Sequence, residues 1–547
     1  MPAAIEEPTG LKLALEGRVV TMDAQRRVLE RGVVYVDSGV IAQVLPEAAT
    51  PPAGFEAVPL TRSRGTLYPG LIELHNHLPY NVLPLWQVPR RFQRREQWGS
   101  HPEKQALVSA PMRVLGETAG YIEAVVRYVE CKCLLAGVTA SQGITLFSAP
   151  GSQRYYRGVV RNVEQTDDPA LPNARAKISD VDSASVASFF NTLRSASCLL
   201  LHLSEGVDDR AREHFRRLAL PQGDWAISPA LSGIHALGLT AEDLAVHGGH
   251  GGAIVWSPLS NLLLYGQTLD LVAVKANGIR IALGSDWSPT GSKNLLAELK
   301  IARTVNAHQG TVYSDTELVA MATSNAAAML GWSGALGSLE AGKYADLLVL
   351  AGRQGDPYAE LLEASETRVS LVLIHGVARC GWPSLMAGLD LGGEPWRVGR
   401  ARRVLQLQQQ SADPLVAGLS LQQASDRLRD GLSRLHELAA AREHRITAAA
   451  RGLAVAPEPP WKLLLDNDEP PEIAASLGRA GLGISVATPH GVVRSEAMTA
   501  SQITAATAAV SIELDPLTVA DDPAYGRRLQ EAANLPDFVK AELQQAF

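Results

Sequence analysis

From residue 70 to about residue 290 the chain alternates short apolar runs with longer amphipathic ones, and no other feature of the sequence limits the fold as much. Strand candidates fall at residues 71–75, 138–144, 158–163, 174–178, 198–202, 231–235, 253–256 and 280–283, eight in all. Several are joined by segments with helical spacing, such as Val186, Phe189, Phe190 and Leu193. Strands that alternate with helices pair in parallel, and eight such units predict an α/β architecture, a TIM-like (β/α)8 barrel.

The flanks have a different grammar. Residues 11–15, 18–22, 32–36 and 40–44 read as strands joined by turns, and β character returns at 343–350 and 370–375. The two groups together predict a small discontinuous β-sandwich domain with the barrel inserted into it. The expected divisions are 1–62 and 336–395 for the sandwich, 63–335 for the barrel and 396–547 for a mostly helical C-terminal extension. Within that extension, residues 401–450 favour helix, 456–460 resemble a linker and 483–487 form a short β run, but no motif there announces a chemistry.

At 547 residues the chain is long enough for several cores. Its 46% hydrophobic and 20% charged content is that of a folded globular protein, and a formal charge of -7 supplies no basic footprint for nucleic acid. No apolar run reaches membrane-spanning length, and the first ten residues lack a basic segment followed by an apolar one. Four scattered cysteines make no disulfide framework; Cys133 extends a helical apolar stripe, so the Cys131-x-Cys133 pair reads as buried thiols. The expectation is a cytoplasmic protein that meets a small-molecule substrate, without nucleic acid or membrane, with self-association as a homo-oligomer left open.

The chemistry concentrates at strand ends. The first strand finishes in His75-Asn76-His77, and because alternate residues of a strand share a face, both imidazoles project together. Two neighbouring imidazoles are half of a zinc or iron site. The fifth strand ends at His202, with Glu205 three residues on, the sixth at His235 and the eighth at Asp286. In a barrel these ends converge. Three histidines and an aspartate, His75, His77, His202 and Asp286, give one divalent metal ion N3O ligation and leave a position for water, whose pKa the ion brings towards neutrality. Glu205 is placed to shuttle a proton to a leaving nitrogen, and His235 to polarise the bond under attack.

At these residues the chain resembles the amidohydrolase superfamily, specifically its mononuclear aminohydrolase branch, which contains deaminases and triazine hydrolases. The resemblance rests on the strand from Pro69 to His77, on His202-Leu203-Ser204-Glu205, on His235, on Gly284-Ser285-Asp286 and on the run from Gly337 to Asp346 that returns to the β domain. It implies His75, His77, His202 and Asp286 as ligands of zinc or iron, with Glu205 and His235 catalytic and Asp286 also helping to activate water. It further implies hydrolysis of a C–N bond other than a peptide bond, through deamination of an amino-heterocycle or cyclic amidine. The alternatives are ring opening of a cyclic amide and a barrel that only binds or assembles. One departure is that Trp256 and Ser257 stand where the family often has a His-Cys pair.

Other features suggest less. Tyr80, Asn81 and Trp86 follow the histidine pair closely and are candidates for substrate binding. Arg90, Arg91, Arg94 and Arg95 lie among aromatic residues and would suit either a solvated face or a planar anionic substrate. Other branches of the superfamily bridge two metals with a carboxylated lysine in the fourth strand, so the resemblance leaves a binuclear site open at Lys177, and His247 and His250 read as a turn without chemistry.

Overall fold

The computed structural model describes residues 8–148, 151–177, 181, 185–389, 392–409, 413–416, 418–455, 457–465, 486–488, 491–493 and 498–546. The chain opens with strands β1 (Lys12–Val20), β2 (Val28–Asp37) and β3 (Val40–Pro46) in an antiparallel meander, and β4 (Leu60–Pro69) lies parallel to β1. Their valine- and leucine-rich runs bury one another's faces, as β-branched side chains do on a pleated surface.

After Pro69-Gly70 the pairing becomes parallel. Strand β5 (Leu71–Glu73) pairs with β6 (Val138–Ser141); a hairpin of β7 (Thr145–Phe147) and β8 (Gln153–Tyr155) follows, and β9 (Arg161–Asn162) returns beside β6. The remaining parallel strands, β10 (Arg175–Lys177), β11 (Leu199–Leu203), β12 (Leu231–His235), β13 (Ala253–Trp256) and β14 (Ile281–Leu283), form a second sheet in that order. Backbone hydrogen bonds stitch the two sheets together on both sides. Ala174 donates to the Val163 carbonyl at 2.8 Å, while Asp286 donates to His75 at 3.0 Å and His77 to Asp286 at 2.9 Å. The result is a TIM-barrel-like α/β unit. At the second seam a Cβ on Gly284 would lie 2.4 Å from the Cβ of His75, so only glycine lets these strands approach.

The expected strands at 11–15 and 18–22 are a single strand, β1, and the eight expected barrel segments all contain observed strands, with one adjustment. Residues 138–144 are not one strand, because β6 stops at Ser141 and β7 begins a hairpin at Thr145.

The chain then completes the outer layer with β15 (Leu347–Ala351), β16 (Val369–Ile374), β17 (Val377–Gly381), β18 (Glu394–Val398) and β19 (Ala401–Leu405). Where a small two-sheet sandwich is expected, hydrogen bonding joins every strand into one nine-stranded ladder, β18-β19-β17-β16-β15-β4-β1-β2-β3. The ladder also runs past residue 395. Residues 401–405 were expected to be helical, but the turn at Gly399 folds them back on β18, and Arg403 and Leu405 alternate into the interior. Tertiary pairing here overrides local helix preference.

The extension packs on the barrel. Its helix Leu421–Ser433 crosses the barrel helix Tyr121–Leu135, with Gly431 against Tyr121, and a short strand, β20 (Lys462–Leu463), pairs antiparallel with β7. Further on, buried Asp515 accepts from Lys132 at 2.6 Å and Lys293 at 2.7 Å, and Tyr128 donates to its carbonyl at 2.7 Å. Burial alone would raise the Asp515 carboxyl, but the two ammonium groups hold it below its ordinary range. Removing one partner of a buried ionic cluster strands the others. Asp515→Ala is therefore expected to cost about 3–5 kcal/mol, read as a lower urea midpoint. An unchanged midpoint would show that the extension is not anchored through this cluster.

Candidate metal centre

The residues expected to act together come together. Ligand atoms of His75, His77 and His202 all lie within 4.8 Å of one another, as do those of His75, His235 and Asp286, and those of His202, Glu205 and His235. Every one of these side chains is buried except His77, which is partly exposed. Each is delivered by the end of a barrel strand: the pair by β5, His202 and Glu205 by β11, His235 by β12 and Asp286 by β14. His235 and Asp286 occupy the left-handed backbone region, with φ of 65° and 63°. Such conformations are uncommon outside glycine and cluster at functional sites.

The charges and hydrogen bonds suit a divalent cation. Asp286 Oδ1 lies 3.2 Å from His75 Nε2 and 3.4 Å from His77 Nε2. The Nε2 of His75 and the Nδ1 of His202 are nevertheless buried without an aligned hydrogen-bond partner. Burial lowers the pKa of His75 and puts that of His202 well below its ordinary value. Burial by itself would raise Asp286, but the adjacent imidazoles, His75 first, outweigh it and hold the carboxyl low. Neutral imidazoles beside an ionised carboxylate are in their ligating states. Orphaned buried nitrogens on clustered histidines, one of them beside that carboxylate, fit a metal ion.

Several supporting residues escape a reading of the sequence. Ser260 donates to Asp286 Oδ2 at 2.6 Å, and Asn261 Oδ1 lies 2.9 Å from His235 Nδ1. Both sit on the helix Pro258–Tyr265 that starts directly after β13, in the segment where the usual His-Cys pair is replaced. The Ser-Pro-Leu-Ser-Asn run following the strand was the available signal, since proline opens the helix and fixes which side chains turn inward. From the far end of the same helix Tyr265 donates to Glu205 Oε1 at 2.8 Å, and Trp98 Nε1 donates to Tyr265 at 2.8 Å. The other carboxylate oxygen of Glu205 lies 3.8 Å from His235 Nε2 and 3.8 Å from Arg95 Nε. Gln142 reaches the site from β6, its Oε1 3.2 Å from His75 Nδ1 and accepting from the Asn76 amide at 2.9 Å.

A cavity of about 250 Å³ opens beside His77 and His202. Of the three residues proposed for substrate binding, Tyr80 lines it. Asn81 lies behind the wall, buried and hydrogen-bonded to Asn76 at 2.8 Å and to the Ser288 amide at 2.7 Å. Trp86 is not a lining residue; it packs against Phe92 and His101 and donates to Glu103 at 3.3 Å. Within the arginine cluster, Arg94 pairs with Asp208 and Arg90 stacks over Phe92, while Arg95 alone reaches the candidate centre. Although β10 is described, the side chain of Lys177 lies outside the described residues. His247 is buried and donates from Nε2 to the Ala253 carbonyl at 3.0 Å, away from the clustered ligand residues. A larger cavity, about 860 Å³, lies between the β18–β19 hairpin and helix Leu421–Ser433, with none of the clustered ligand residues on its walls.

Comparison with known proteins agrees with this geometry. Residues 233–379, which include His235 and Asp286, match the amidohydrolase family. The 5-methylthioadenosine/S-adenosylhomocysteine deaminase of Syntrophobacter fumaroxidans is 26% identical over 418 residues, covering 66% of this chain and 91% of that protein. The enzyme of the same name from Teredinibacter turnerae is 28% identical over 185 residues, but the match spans only 33% of this chain and 42% of the relative. Among solved structures, zinc-complexed atrazine chlorohydrolase from Arthrobacter aurescens TC1 superposes with a TM-score of 0.52 at 20% identity, covering 67% of this chain and 94% of its own. The family match thus falls on residues 233–379, and the two relatives are named as deaminases.

Groups that orient metal ligands usually matter to affinity. Ser260→Ala, which removes the hydroxyl from Asp286, is expected to weaken zinc binding about 10–100-fold in a chelator competition. Undiminished affinity would mean that Ser260 plays no part in orienting the carboxylate.

Proposed function

We propose that the protein is a metal-dependent hydrolase of C–N bonds other than peptide bonds, deaminating an amino-substituted heterocycle or cyclic amidine. The supporting observation is the convergence of buried His75, His202, His235, Glu205 and Asp286 and partly exposed His77 at barrel strand ends, with His75 Nε2 and His202 Nδ1 left without an aligned hydrogen-bond partner. In this reading residues 63–335 are a closed (β/α)8 catalytic barrel inserted between 1–62 and 336–395 of a β domain, to which the β18–β19 hairpin also belongs. The rest of residues 396–547 is an extension of that enzyme, which acts on a small molecule in the cytoplasm.

His75, His77, His202 and Asp286 would hold one divalent ion, zinc or iron. Such an ion supplies Lewis acidity that brings the pKa of water towards neutrality. Glu205 has one oxygen fixed by the Tyr265 hydroxyl, leaving the other to take a proton from the attacking water and deliver it to the departing nitrogen. His235, whose Nδ1–H donates to Asn261 Oδ1, would with a second proton on Nε2 donate to the atom that gains negative charge as water adds to the ring carbon. A C–O bond forms, the C–N bond breaks and ammonia leaves.

Glu205→Gln keeps the shape of the side chain and removes its basicity. It is expected to lower ammonia release from an active substrate by about 10²–10⁴-fold with metal content retained. Unchanged turnover would remove Glu205 from the mechanism, and product formation without ammonia would point instead to ring opening of a cyclic amide.

A further inference from the structure

Part of the C-terminal extension reaches the cavity beside the candidate centre. After helix Leu435–Ala450 the extension returns to the barrel as β20, whose Lys462 and Leu463 pair with Phe147 and Leu146 of β7. The pairing continues into Leu464, whose amide donates to the Thr145 carbonyl at 2.9 Å. Two further contacts fix this segment. The Trp461 ring lies under the Arg154 guanidinium, 4.6 Å from ring centroid to Cζ, and Leu463 is buried against Gly116, where an added Cβ would come within 3.2 Å of it. Leu464 and Leu465 are thereby carried to the edge of the cavity that His77 and His202 enter.

The same cavity is also lined by polar groups, among them His77, Gln142, Glu164 and His202. Glu164, mostly buried, accepts from the Gly143 amide at 2.8 Å and only weakly, at 3.4 Å, from Gln142. One of its oxygens thus keeps acceptor capacity towards the cavity, which suits a ring N–H. Burial pushes this carboxyl up to about 7, as expected of a group placed for a ligand and otherwise short of water. The volume, about 250 Å³, falls below the roughly 300–1,000 Å³ of clefts that enclose drug-sized ligands. A small ring is the size class that such a volume suits, with leucine and carboxylate side chains both on the lining.

We propose that the extension completes the substrate cavity, with Leu464 and Leu465 as specificity-determining residues that admit a flat amino-heterocycle and turn away the same ring carrying a sugar-sized substituent. This rests on the hydrolase reading for the position of the reacting ring and goes beyond it in naming the size class and the wall that sets it. The relatives named as nucleoside-type deaminases make the contrast a useful one.

The test measures binding, so that it stands apart from turnover. Adenine with adenosine, and cytosine with cytidine, are titrated by calorimetry into full-length zinc-loaded Glu205→Gln protein, with and without Leu464→Ala/Leu465→Ala. The free bases are expected to bind about tenfold or more tighter than their nucleosides, and the double variant to lose most of that discrimination by gaining nucleoside affinity. Leu464→Trp, which fills the cavity, is expected to weaken the bases as well, and it decides the matter should the double variant not fold. Nucleosides bound as tightly as bases, discrimination untouched by both variants, or no ring bound at all would overturn the proposal. Ammonia release by the wild type is scored separately, so rings that bind with the expected selectivity and release none would sink the hydrolase reading and leave the wall assignment standing.

Discussion

The arrangement depends on the seam where β14 meets β5. There the backbone of Asp286 donates to His75 and accepts from His77, so the amides that join first strand to last also fix the spacing of three candidate ligands. Gly284 makes the approach possible because a side chain at that position would collide with His75. Barrel pairing and ligand geometry are consequently one constraint. A change that loosened the seam would disturb both together.

Around this seam the chain accumulates buried polar groups that would be costly if unsatisfied. Most are satisfied in pairs. Glu73 accepts from the amide and the hydroxyl of Ser285, Asn76 donates to Ser285 at 3.2 Å, and Asn81 links Asn76 to Ser288. Lys132 then donates to the Asn81 carbonyl at 3.0 Å and to Ser288 at 2.8 Å before meeting Asp515. A continuous set of hydrogen bonds therefore runs from the extension to the ligand strand. The imidazole nitrogens of His75 and His202 are among the buried polar atoms left without a partner, as are the hydroxyls of Ser141, Ser204 and Ser257. Glycines, serines and asparagines at the strand ends do the local work, and the extension braces them from outside.

Much of this was legible in the sequence because strand ends carry a strong signal. Apolar runs terminating in His75-x-His77, His202-x-x-Glu205, His235 and Asp286 mark both the element and the direction in which its last side chain points. Strands β12 and β13 fall at the expected residues for the same reason. What could not be read depends on contacts between distant segments. Tyr265 meets Glu205 across 60 residues, Gln142 meets His75 across 67, and Leu464 meets Thr145 through a strand of two residues that no periodicity would reveal. Trp86 was misplaced because nearness in sequence to His77 says little once a loop turns, and its ring faces Phe92 instead. The β18–β19 hairpin was missed because its alternation is short and its residues favour helix in isolation.

The central claim is that His75, His77, His202 and Asp286 form a single metal site. It is tested most directly by metal content per chain, measured by mass spectrometry on protein purified without chelator, for wild type and for His75→Ala. The account predicts about one zinc or iron in the wild type and loss of that ion in the variant, because N3O ligation reduced to N2O no longer closes the site. No bound metal even after reconstitution, or full occupancy in His75→Ala, would contradict it.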